Sequence, residues 1–264
     1  MMHTLSRRTS LIYAITGSIL WGASGTVAQS LFNAHNISAT WLVGVRLLTA
    51  GLLLLFLSII TKQNIFNVWR DKKAASRLMF FSFLGMLPSQ LSYFMAIQYG
   101  NAATATVLQF LAPVFITIYL SVVNHFLPSK INLMAIGVAM IGTFLLVTSG
   151  NINSLSLTPI AIIWGLLAGL SQASYTLLPR QLLTNFSETA IVGWSMLISS
   201  IPFWYTVGRT KLPPLSLSIT MAIAFIIIGG TIIFVCLTMS MQILLCLLLL
   251  LLNSLVVCFS SLLV

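Results

Sequence analysis

Residues 39–61 read ATWLVGVRLLTAGLLLLFLSIIT. A single charge, Arg46, interrupts a run that is otherwise apolar, small or hydroxyl-bearing. At 1.5 Å rise per residue, about 20 helical residues cross the ~30 Å of hydrocarbon in a bilayer. Working outward, similar blocks occur near 11–32, 78–99, 102–124, 131–149, 159–179, 189–208, 217–238 and 241–264. Across the 264 residues, 59% are hydrophobic and 5% are charged, against roughly 25% charged in a soluble domain. Blocks of this length satisfy their backbone hydrogen bonds in lipid as helices. The alternating pattern of an outer-membrane barrel is absent from them. The sequence therefore predicts an all-α polytopic membrane protein with about nine transmembrane helices.

The formal charge of +10 does not describe a nucleic-acid binder. It is the balance of twelve Lys and Arg against two acids, and no basic face with interleaved aromatics accompanies it. With the N-terminus in the cytoplasm, Arg7, Arg8, Lys62, Arg70, Lys72, Lys73, Arg77, Lys130 and Arg180 fall inside. Only Arg209 and Lys211 fall outside, an imbalance that orients the helices. The expected location is the cell membrane, multi-pass, with the N-terminus cytoplasmic. The first block, about Leu11 to Phe32, exceeds the ~7–15-residue core of a signal peptide and reads as a retained span. Cys236, Cys246 and Cys258 sit in apolar sequence without metal-type spacing, so neither a disulfide framework nor a metal site is expected.

The chain also repeats itself. Ala14, Ser18, Gly22, Thr26 and Ser30 form a row of small residues at spacing four, as do Ala161, Gly165, Gly169 and Ala173. Such rows let helices approach closely in lipid. Gly85, Met95 and Gln98 align without gaps with Gly229, Met239 and Gln242, and Trp41 aligns with Trp194. Two units follow, 1–150 and 151–264. Five spans per copy is an odd number, so the second copy runs the opposite way through the bilayer, an arrangement suited to alternating access.

Several of these motifs carry a family resemblance. They are Ile19-Leu20-Trp21-Gly22, Trp41 to Arg46, Met95-Ala96-Ile97-Gln98-Tyr99, and the run from Ala102 to Pro113. Over about 10–240 the chain resembles the EamA type of the drug/metabolite transporter superfamily. The resemblance implies ten helices in two five-helix repeats, with transport through a central cavity. It specifies a family well and a substrate poorly.

Polar groups inside a bilayer are costly and mark candidate sites. Arg46 lies about seven residues, or ~10 Å, from the outer end of its helix. It reads either as a carboxylate anchor in the cavity or as a structural group that snorkels or bonds helix-end carbonyls. The structural reading is preferred. The remaining candidate substrate-binding residues are Trp21 and Ser24 in the first helix, Gln90 and Tyr93 just after Pro88, Gln109 before Pro113, and Trp164, Gln172 and Tyr175 in the sixth. Pro88 and Pro113 fall near mid-span, where proline frees backbone carbonyls and bends the helix. Apolar walls with a few placed hydrogen-bonding groups describe a small-molecule pocket, although each residue alone reads equally as packing.

No span contains a carboxylate or imidazole in its interior, which disfavours proton coupling. No P-loop, paired acids or metal constellation occurs, so no enzyme and no cofactor is expected. A channel would want rings of charge or carbonyl-rich loops, and only Arg46 offers anything. The reading is an exporter of small organic metabolites such as amino acids. Its partners are a small-molecule substrate and the lipid bilayer, with no nucleic acid; the sequence leaves the oligomeric state open. The alternative is a truncated, non-transporting relic or an assembly-only membrane protein.

That alternative comes from the tail. After Gln242 the repeat similarity stops, six leucines run from Leu247 to Leu252, and the proline expected near Val257 is missing. A frameshift or truncation after about residue 242 is the preferred explanation over an ordinary leucine-rich helix. The nucleotide sequence decides: a second reading frame after codon 242 should restore a proline-containing helix and a tenth span. If neither alternative frame does so, the tail is native.

Overall fold

The computed structural model describes residues 7–125, 158–210 and 216–233, with isolated helical positions between 134 and 145. The expected helices over 131–149 and 241–264 fall largely or wholly outside the described residues, as do the leucine tail, the three cysteines, Met239 and Gln242.

Polar caps start the spans. The helices are α1 (Arg7–His35), α2 (Ala39–Ile60), α3 (Asn67–Arg70), α4 (Lys72–Phe81), α5 (Leu87–Tyr99), α6 (Ala102–Gln109) and α7 (Ala112–Val123). They continue as α8 (Pro159–Leu177), α9 (Arg180–Leu183), α10 (Glu188–Ser200), α11 (Trp204–Arg209) and α12 (Leu217–Ile227). Ser38 accepts the Trp41 N–H at the head of α2, Asn101 the Thr104 N–H at α6, and Thr158 the Ala161 N–H at α8. Each cap answers one of the four N–H groups that a helix start leaves without an internal partner. Five described segments are long and apolar enough to cross a membrane: Ala39–Ile60, Lys72–Tyr99, Ala102–Val123, Pro159–Leu183 and Glu188–Arg209. Among the described residues there is no strand. The protein is an all-α polytopic membrane protein whose outer face presents side chains such as Phe56, Leu84 and Val122.

Several boundaries differ from the sequence reading. The third span begins at Lys72 rather than near 78, because Asp71 caps it by accepting the Lys73 N–H. The fourth span breaks into α6 and α7 at Phe110-Leu111, just before Pro113. The fifth segment is interrupted by a 3-10 turn, Ile201–Phe203, around Pro202, which the sequence reading missed.

Two π turns interrupt the bundle, Ser82–Met86 between α4 and α5, and Ile228–Ile233 after α12. They contain Gly85 and Gly229, the pair aligned in the sequence. Each glycine faces the aromatic ring four residues before it. A Cβ on Gly85 would lie 2.9 Å from the Phe81 ring, and one on Gly229 would lie 3.2 Å from the Phe225 ring.

Three helix pairs build the bundle: α2 on α10, α5 on α8, and α1 on α12 with its π turn. The α2–α10 pair is antiparallel, since Gly44 abuts Phe203 while Leu55 abuts Gly193. Their backbones nearly touch: a Cβ on Gly51 would stand 2.9 Å from the Leu197 nitrogen and 3.1 Å from the Gly193 oxygen. The row Gly165 and Gly169 on α8 does the same against Leu108 of α6. On α1 the side chains of Ala14 and Ser18 lie outside the described ones; Gly22 is buried and Ser30 exposed, and close approaches are made by Ser24 to Gly230 and by Gly25 to Tyr93. These contacts make Gly51→Leu a severe overpacking change, costing about 1–3 kcal/mol or more. The expected outcome is a lower unfolding temperature of the purified protein in detergent, with an unchanged value contradicting the α2–α10 packing.

Candidate functional site

The interior polar groups fall into two connected clusters along α5. The first centres on Arg46, which is 1% exposed. It sits about two turns into α2 and turns inward, reaching neither surface. Its Nε donates to Thr231 Oγ1 at 2.7 Å and its Nη2 to the Gly230 carbonyl at 3.2 Å, both in the second π turn. The guanidinium lies 5.0 Å from the ring centroids of both Trp21 and Phe94, within the range of cation–π attraction. Trp21 stacks on Tyr93 at 5.8 Å, and the Tyr93 hydroxyl pairs with Thr106 Oγ1 at 3.2 Å. Ser24 donates to the Trp21 carbonyl at 2.7 Å and abuts Gly230. Side chains from α1, α2, α5 and the second π turn thus meet at one buried cation.

The second cluster joins α5, α6 and α8. Gln172 Oε1 accepts from Ser89 Oγ at 2.9 Å and from Gln109 Nε2 at 3.3 Å. Ser92 and Ser171 pair across the same helix contact at 3.1 Å. Gln90, 6% exposed, lies between the clusters on α5, and its Oε1 is buried without a partner. Tyr175 packs its ring 5.4 Å from Phe81 beside Gly85, at the first π turn.

The sequence-derived set therefore divides. Trp21, Ser24, Arg46 and Tyr93 come together, Gln109 and Gln172 come together, and Gln90 and Tyr175 lie close by along the same contact surfaces. Trp164 adjoins the Ser92–Ser171 pair of the second cluster. It lines a cavity of about 250 Å³ with Leu84, Pro88, Ser92 and Ser171, open on the outer face beside the exposed Leu167 and Leu170. Of the two structural alternatives for Arg46, snorkelling or bonding a helix carbonyl, the geometry has the second, at Gly230. Gly230, Thr231, Phe94 and Ser89 were not singled out in the sequence. Thr231 follows the aligned Gly229 by two residues, which is the one signal that pointed to it.

A further bond relates the two π turns. Ser199 on α10 donates to the Ser82 carbonyl in the first turn at 2.8 Å, as Arg46 on α2 donates to the second. Arg46 and Ser199 each lie five residues after the aligned tryptophans, Trp41 and Trp194.

Comparison with known proteins agrees with this architecture. The family model of the EamA-like transporter family matches residues 8–148. The uncharacterized inner membrane transporter YicL of Salmonella typhimurium strain LT2 is 36% identical over 229 residues, covering 86% of this chain and 76% of that protein. A solved crystal structure of a protein with 16% sequence identity is similar with a TM-score of 0.65, over 98% of this chain and 88% of that one; at that identity the likeness concerns the fold alone. This helical membrane protein belongs to the EamA-like transporter family and is a membrane transporter.

Proposed function

We propose that the chain exports small organic metabolites, such as amino acids, across the cell membrane by alternating access between two inverted units, 1–150 and 151–264, with its N-terminus in the cytoplasm. The observation that carries this reading is the pair of π turns. Interruptions at corresponding places in two halves point to a transporter's binding site, and π turns recur at functional sites generally. Here each turn holds the aligned glycine, and each gives a carbonyl to the second helix of the other half, through Arg46 in one case and Ser199 in the other.

The helix pairing supports the same reading. If α1 corresponds to α8, α2 to α10, and α4–α5 to the segment 217–233, then the α5–α8 contact exchanges with that of α1 on 217–233. The α2–α10 contact exchanges with itself, and it is antiparallel, as an inverted pair requires. A site at the crossing of these pairs is exposed to one side or the other as the halves rock. Substrate biases that equilibrium only through its differential affinity for the two states.

Energetics follow from the residues present. In the described spans, Glu188 opens α10 and His35 closes α1, and no carboxylate or imidazole lies deeper. A proton relay of the usual acidic or imidazole type has no foothold among these residues, so export runs down the substrate gradient.

Export from cells loaded with an amino-acid and dipeptide panel tests the function, alongside a version carrying a restored proline-containing tail. At least one compound should leave faster than from cells with empty vector. A chain that inserts yet moves none of the panel, while the restored version does, is the non-transporting relic. Collapsing the transmembrane pH gradient should change the rate by less than about twofold, because no interior proton acceptor is involved; a loss of export would place a coupling group in the chain.

A further inference from the structure

We infer that Arg46 Nη1 is the anchor for a carboxylate on the transported molecule, and that Gln90 Oε1 accepts a hydrogen bond from a donor on the same molecule. This deepens the transporter reading above and rests on it. Among the described residues, Nη1 and Gln90 Oε1 are the two buried side-chain atoms without a hydrogen-bond partner. One is a donor carrying positive charge and the other is an acceptor. Gln90 and Phe94 are one helical turn apart on the same face of α5, and the Phe94 ring is the one against which the guanidinium lies. Gln90 thus stands roughly 6 Å of helix rise from Phe94, the residue whose ring lies against the guanidinium.

The charge argument points to an anion. Arg46 is the fully buried ionic side chain among the described residues. Its partners are a threonine hydroxyl, a backbone carbonyl and two aromatic faces, and none of these carries a formal negative charge. A buried cation without a counter-ion is costly, far more so in a bilayer. The two described acids lie elsewhere, Asp71 capping α4 and Glu188 opening α10. Nε and Nη2 are committed to hydrogen bonds and two rings lie against the guanidinium, so the donor left is Nη1, an N–H group suited to a carboxylate oxygen. The same side chain ties α2 to the second π turn. An anion seated on Nη1 therefore acts at a contact between the two halves, where differential binding shifts their equilibrium.

Small probes test this whatever the substrate. Acetate, the minimal carboxylate, should raise the unfolding temperature of the purified full chain saturably by about 3–6 °C relative to chloride at equal ionic strength, and acetamide should not. Arg46→Gln should abolish the acetate effect. Because Arg46→Gln can impair folding, Gln90→Leu provides a second arm that leaves Arg46 in place. In that variant acetate should still stabilise, while the extra stabilisation from glycine, which adds an ammonium donor, should disappear. Equal unfolding temperatures in acetate and chloride overturn the carboxylate anchor, as does an acetate effect that survives in Arg46→Gln. A glycine advantage that survives in Gln90→Leu overturns the role of Gln90. Export measured in parallel separates the two readings. Undiminished export of uncharged compounds with no acetate effect leaves a transporter without the anchor. An Arg46-dependent acetate effect without any export leaves an anion site on a protein that does not transport.

Discussion

Lipid offers no hydrogen bonds, so every polar backbone group within the bilayer must find its partner in the protein. That constraint falls hardest where a helix is not regular. The turns Ser82–Met86 and Ile228–Ile233 are π-helical, and in the first the Leu87 N–H bonds the Ser82 carbonyl five residues back. Side chains far away in the chain add a donor at each turn, Ser199 to the Ser82 carbonyl and Arg46 to the Gly230 carbonyl. These bonds tie α10 to the first turn and α2 to the second. They also explain why a full positive charge is present in the interior: a guanidinium reaches a carbonyl and a hydroxyl together while resting on two rings.

Small residues set how near those partners come. Hydrophobicity gives helices no reason to associate in a bilayer, so close van der Waals contact must supply the attraction. Gly51 brings the α2 backbone onto α10, and Gly165 and Gly169 bring α8 onto Leu108. Gly25 makes room for the Tyr93 hydroxyl, which keeps Tyr93 stacked on Trp21 beside Arg46. Packing on one side of the bundle thus positions polar chemistry on the other. Trp21, Tyr93, Phe94 and Arg46 pack directly on one another there.

The spans were legible in the sequence because a bilayer fixes their length, and residues 39–61 show this at a glance. Pro113 announced the break between α6 and α7. Pro88 lies just after an irregular turn, Ser82–Met86, that contains Gly85. The 3-10 turn at Pro202 was not read from the sequence because the segment around it is long enough to be one uninterrupted span. In the site, a lone charge in a greasy run made Arg46 conspicuous, and the amides Gln109 and Gln172 were found together as expected. What the sequence could not supply was pairing at a distance. Thr231 and Gly230 are far from Arg46 in the chain, and their identities are unremarkable for a membrane helix. Trp164 lines a cavity away from Arg46, a placement not legible in the sequence because a tryptophan's depth carries no sign of which face of its helix it occupies.

In the proposed transport cycle the two halves move against each other across the α5–α8 contact, where Ser92 and Ser171 approach to 3.1 Å. Replacing both by cysteine in a chain lacking Cys236, Cys246 and Cys258 allows that contact to be closed covalently. Oxidation should form the bridge and stop export, and reduction should restore it. Export at the full rate with the bridge quantitatively formed would contradict the account.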